Sequence, residues 1–121
     1  MKNYDLHERF IDFAVMVVNL FSDVQNSKAG NHLVGKVIRS GTSPSLNYSE
    51  AQGAESRNDF IHKMSIVFKE LRETYAYLKI IERAGLCLKT HNKISVVLIE
   101  NNELIAIFVK SIETCKLKIK Q

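Results

Sequence analysis

Hydrophobic residues recur along this chain at helical spacing, in four blocks. In the first, Leu6, Phe10, Phe13, Val17, Leu20 and Val24 advance by alternating steps of four and three, which lines them along one side of a helix. The pattern predicts a helix over 5–25. Ile11, Ala14, Val18 and Phe21 widen its apolar face beyond one seam, so this helix is expected to contact more than one neighbour. Asp5 is placed to cap it, with Glu8 three residues later as a capping box. The polar run from Gln25 to Asn31, with Gly30 near its end, reads as a loop.

The second block carries Leu33, Val34, Val37 and Ile38, and the same spacing continues through Gly41, Ser45, Tyr48 and Gln52. The face thus turns from large apolar to small residues, which lets another backbone approach closely. Pro44 is the chain's single proline. It lacks an amide hydrogen and its ring crowds the carbonyl of Ser40, so the second helix is expected to be kinked or interrupted near Pro44. Thr42 and Ser43 are placed to bond the freed backbone groups or to cap a restarted helix.

The third block is the most regular. Phe60, Met64, Val67, Leu71, Thr74, Leu78 and Ile81 alternate steps of four and three, with Ile61, Phe68 and Tyr75 as a second row. This predicts a helix over 57–84, stopped by Gly85. The fourth carries Ile94, Leu98, Asn101, Ile105, Phe108, Ile112, Cys115 and Ile119. Its β-branched residues (Ile94, Val96, Val97, Ile99) suit a strand, but 26 residues of helical period without a turn predict a helix over 93–118. Four long helices on short connections define an all-α fold, an antiparallel up-down-up-down four-helix bundle, as one domain over 1–121.

Composition narrows this picture. With 45% apolar and 25% charged residues in 121 positions, the chain is globular and long enough to bury a core. Five glycines and one proline are too few turn formers for an all-β sandwich. Cys87 and Cys115 have neither zinc nor CxxC spacing and read as free thiols. No signal peptide or membrane span is expected, and cytoplasmic is the default location. The net charge of +4 permits nucleic-acid binding without requiring it.

Two groups of residues are candidate sites. Arg39, Ser43, Asn47 and Glu50 step by four, four and three, so they share a face if the second helix is continuous. They form either a binding surface or a buried polar network. In the network, Arg39 would pair with Glu70 or Glu73, and Ser43 and Asn47 would satisfy backbone opened by Pro44. The C-terminal run places Lys110, Lys116, Lys118 and Lys120 against the single acid Glu113. These lysines are candidate nucleic-acid contacts, able to hold a phosphate backbone without reading sequence. Equally, they suit a helix C-terminus. No aromatic residue alternates with them, so stacking on single-strand bases is not indicated.

The stretch from Arg39 to Gln52, followed by Ala54-Glu55-Ser56, by Asp59 to Met64 and by Lys69 to Thr74, resembles the four-helix-bundle proteins encoded within 23S rRNA intervening sequences. The likeness spans the whole chain and is most specific over 38–80. Tyr77 departs from it, standing where many relatives carry Trp. The resemblance implies a homo-oligomer, typically a ring of five, with no established enzymatic activity and no cofactor. It also implies kinship with the accessory protein of diversity-generating retroelements, which binds nucleic acid and a reverse transcriptase. RNA or DNA and a protein partner of that kind are therefore the expected partners, beside the chain itself.

One alternative is enzymatic. Arg57 and His62 resemble the Arg-x4-His motif of the all-helical HEPN ribonucleases, in which the pair would activate a ribose hydroxyl and stabilise phosphate. The motif is short and recurs by chance. A di-iron bundle needs Glu-x-x-His on two helices, and the sequence has none. No metal site, catalytic triad or phosphate-cradling glycine loop can be assigned. The reading is a non-enzymatic oligomeric scaffold, with metal-independent ribonuclease chemistry at Arg57 and His62 as the alternative.

Overall fold

The computed structural model describes residues 5–21, 26–86 and 91–120, with the side chains of the last segment described over 93–114. It contains four helices: α1 (Leu6–Leu20), α2 (Lys28–Gln52), α3 (Arg57–Arg83) and α4 (His91–Lys120). Each helix packs on the next in sequence, and α4 returns to α1, giving the expected four-helix bundle.

Short polar signals set the helix ends. Asp5 accepts a hydrogen bond from the His7 amide at 3.1 Å, but Glu8 returns none, so only half of the expected capping box forms. Ser27 accepts from the Gly30 amide at 3.0 Å and starts α2 earlier than expected; Gly30 is a buried first-turn residue of the helix and not part of a loop. Ser56 accepts from the Asp59 amide at 3.1 Å and so caps α3. At the far end of α3, Gly85 takes a left-handed φ of 68°. The Leu86 amide then reaches the Ile81 carbonyl at 3.2 Å and the Gly85 amide reaches Glu82 at 3.2 Å, a Schellman closure.

The core follows the seams. Phe10, Phe13, Val17 and Leu20 of α1, Met64, Val67, Leu71, Leu78 and Ile81 of α3, and Ile94, Leu98, Leu104 and Phe108 of α4 are all buried. Phe10 sets its ring 5.3 Å from Tyr48 and 6.1 Å from Phe108, joining α1 to α2 and α4.

The expected interruption of α2 does not occur: the helix runs through Pro44, which is buried. Side chains on both sides of the proline bond carbonyls that precede it. Thr42 Oγ1 donates to the Ile38 carbonyl at 2.8 Å, Ser45 Oγ to the Thr42 carbonyl at 2.8 Å and Asn47 Nδ2 to the Ser43 carbonyl at 3.0 Å. The small-residue face does what its spacing implies. Gly41 is buried so closely that a Cβ there would lie 2.9 Å from both methyls of Val17. On the other side of α2, Ser40 meets α3, with Thr74 Oγ1 donating to Ser40 Oγ at 2.8 Å. Gly41 and Ser40 are neighbours in sequence, and between them they dock α2 on both flanking helices.

Candidate functional site

Because α2 is continuous, Arg39, Ser43, Asn47 and Glu50 do share one helix face. The guanidinium of Arg39 lies 3.7 Å from Glu70 and 3.4 Å from Glu73 of α3. Both acids considered from the sequence are therefore its partners. Their environments differ. The side chain of Glu70 is 9% exposed and that of Arg39 58%, so a surface cation faces an enclosed carboxylate. Glu70 Oε2 has no hydrogen-bond partner among the described residues, which leaves Arg39 as its main compensation.

Asn47 donates both to Ser43 Oγ, at 2.7 Å, and to the Ser43 carbonyl. It thus reinforces the helix beside Pro44 without reaching the Ser40 carbonyl, the one the proline frees. Glu50 is exposed and makes no ion pair among the described residues. The stripe divides into three parts: an interhelix charge cluster at Arg39, a local brace at Ser43 and Asn47, and a free acid at Glu50.

Arg57 and His62 are both exposed on the first turns of α3. Five residues apart, they point about 140° from each other around the helix. Neither side chain makes a hydrogen bond or ion pair among the described residues. Of the terminal lysines, Lys110 is exposed; the side chains of Lys116, Lys118 and Lys120 lie outside the described residues, as do those of Cys87 and Cys115. The described residues contain no cluster of three or more metal-ligating side chains. Among the described residues, no helix is long and apolar enough to cross a membrane.

Two features were not anticipated. Arg9 of α1 forms a fork on α4: its Nε donates to Glu100 Oε2 at 2.9 Å, and its Nη2 to Glu100 Oε1 at 2.8 Å and Glu103 Oε2 at 2.7 Å. The hydrogen bond to Glu100 holds the guanidinium above its usual pKa, against a smaller opposing effect of burial. No local pattern could have revealed a pairing across 91 positions. The second feature is apolar. Of eight large hydrophobic residues left exposed among the described residues, six lie on α1 and α4: Ile11 (36%), Val15 (52%) and Val18 (45%), then Val96 (58%), Ile99 (60%) and Ile107 (37%). The breadth of the α1 face was legible in sequence. The expected contact with more than one neighbour is made, with α2 and with α4, and Ile11 and Val18 still meet solvent.

The fold and these surfaces define a helical bundle with a polar brace at its α2–α3 seam and apolar rows on its outside. The chain belongs to the 23S rRNA-intervening sequence protein family, whose sequence profile matches residues 2–107. A crystal structure of a protein with unknown function from the S23 ribosomal protein family, from Bacteroides thetaiotaomicron, is similar, with 30% identity and a TM-score of 0.79 over 89% of this chain and 98% of that one. No curated protein matches the chain.

Proposed function

We propose that this protein is a non-enzymatic homo-oligomer, a ring of five by its family resemblance, that serves as a scaffold for nucleic acid, for a protein partner such as a reverse transcriptase, or for both. The observation that carries the reading is the pair of exposed aliphatic rows on α1 and α4. Scattered exposed aliphatics are ordinary on a monomer, whereas rows at helical spacing on the outside of a finished core are the mark of a contact surface.

The nucleic-acid part rests on charge. The chain carries +4, and the terminal lysines end the longest helix. Repetition around a ring turns a weak patch into a strong field. Binding of this kind releases counterions and is steeply salt-dependent. The test is fluorescence anisotropy with labelled single- and double-stranded RNA and DNA. Binding at about 50 mM salt that weakens at least tenfold by about 200 mM is expected. No detectable binding to any of the four probes at low salt would remove nucleic acid from the reading and leave the protein scaffold. The reading leaves catalysis out, since Arg57 and His62 point about 140° apart around α3, which does not favour the ribonuclease alternative.

A further inference from the structure

We propose that the outer face of the N-terminal half of α2, built from Lys28, His32 and Lys36 with Gly35 beside them, is a seat for the phosphate backbone of a nucleic acid. The proposal rests on the nucleic-acid half of the reading above. It places the contact on a helix other than those that carry the exposed aliphatic rows.

Helix geometry gathers these residues. Val37 is fully buried, and Lys28, His32 and Gly35 lie about 140–180° from it around α2. Lys36 lies about 100° from Val37, on the side where Ser40 meets α3. All four are exposed. Lys28, His32 and Lys36 follow at steps of four, about 6 Å apart along the helix axis. None of the three makes a hydrogen bond or ion pair among the described residues. The helix carries no acid before Glu50. Arg39, further along, adds no positive charge, since it faces both Glu70 and Glu73 and the three together are net negative. The remaining described flanks are uncharged. On α3, Tyr77, Ile80 and Ala84 continue the line of Glu73 toward the helix end. On α1, Arg9 and Met16 mark the α4 side, and the flank turned to α2 carries Ala14, Val18 and Phe21. Lys28 and Lys36 therefore set the sign of this face.

Gly35 is a second observation, independent of charge. Glycine weakens a helix interior, and Gly41 has a reason to be there in its close approach to Val17. At Gly35 nothing lies within 4 Å of the place a Cβ would take. The chain itself gives no packing reason for the missing side chain. A ligand lying along the helix supplies one, because the gap lets a sugar–phosphate chain settle against the backbone next to His32. The make-up of the face separates nucleic acid from a protein partner. Protein-docking surfaces have an apolar, often aromatic centre. Here the bases have Ala29, Asn31 and Gly35 around them. The exposed large hydrophobic residue of α2, Leu46, lies about 15 Å further along the helix than Lys36. Lysines with a nearby imidazole and amide hold phosphates without reading bases, and no aromatic side chain stands among them to stack on one.

The experiment measures affinity for the four labelled probes named above across a salt series, with every substitution at an exposed position of the full chain. Lys28→Gln combined with Lys36→Gln is expected to weaken binding by about tenfold or more at about 50 mM salt. It should also reduce the slope of log affinity against log salt by about 1.4–1.8, the value for two lost phosphate contacts. Lys69→Gln combined with Lys93→Gln removes the same charge from α3 and α4 and is expected to change affinity by less than about threefold. Gly35→Leu is expected to raise the denaturation midpoint, to leave the solution mass unchanged, and to weaken binding by about threefold or more by filling the gap. An α2 lysine pair that weakens binding no more than the control pair overturns the seat and leaves nucleic-acid binding standing. So does a Gly35→Leu chain that binds as the unaltered one does, or one whose mass changes, which would give Gly35 to a contact between copies. An unaltered chain that binds none of the probes overturns the nucleic-acid reading itself and the seat with it.

Discussion

Adding a single methyl group at Gly41 tests the packing of α2 on α1. A Cβ at this position would sit 2.9 Å from both Cγ atoms of Val17 and 3.2 Å from its Cβ. Rotating Val17 offers little escape, since its Cβ is fixed to the α1 backbone, its χ1 is restricted in a helix, and the side chain is fully buried. The helices must separate, and overpacking of this kind costs about 1–3 kcal/mol. Against it stands the better helix propensity of alanine, about 1 kcal/mol. Gly35 separates the two effects. It lies on the same helix, is exposed, and a Cβ there meets nothing within 4 Å. Gly35→Ala should therefore stabilise by about 0.5–1 kcal/mol, while Gly41→Ala should be neutral or cost up to about 2 kcal/mol. With a urea m-value of about 2 kcal/mol per M, the two midpoints should differ by about 0.5–1.5 M at equal protein concentration. Val17→Ala should recover part of the loss in the Gly41→Ala background. Equal midpoints for the two glycine variants would refute the close-approach argument.

Three further outcomes follow from the polar contacts. Arg39→Ala should destabilise by about 1–2 kcal/mol, below the range for a fully buried pair because the guanidinium is largely exposed, and Glu70→Gln in the same chain should restore part of it, as read by denaturant titration. Thr74→Val removes a buried donor to Ser40 and should cost about 1 kcal/mol in the same assay, with Thr74→Ser keeping most of it. Burial, with the nearby Asp5 carboxylate adding to it, pushes the Tyr48 phenol above the ordinary tyrosine pKa, against a smaller opposing bond from Gln52. The unfolded chain then loses this proton first, so stability should fall as pH rises through about 10 toward the raised value. Tyr48→Phe should remove that part of the alkaline slope, seen in melts across pH 9–12 and in a tyrosinate absorbance titration.

Much of the fold was legible because the seams are regular. Phe10, Phe13 and Val17, or Met64, Val67 and Leu71, repeat at the period of a helix, and burial of one face is what that period encodes. At Pro44 a lost amide and a ring clash predict a kink or a break, and of the two the break does not occur: the packing of the 25 residues of α2 against two neighbours keeps the helix whole. The Arg39 partners could be anticipated because the helix assignments brought Glu70 and Glu73 within reach. The Arg9 fork could not, since helix period leaves the relative height of α1 and α4 open. The exposed rows lay between these cases. The width of the α1 face was visible, but only a folded chain shows that its own helices leave Ile11 and Val18 uncovered. In the same way, α4 carries Val96 and Ile99 off its seam, and their β-branched character said more about strand propensity than about a surface.

The central claim is that these uncovered aliphatic rows belong to an assembly. The mass of the purified chain in solution, measured by multi-angle light scattering across a dilution series, tests it most directly. The account predicts a single species at five times 13.8 kDa that persists into the micromolar range. A constant 13.8 kDa across the same series would contradict it.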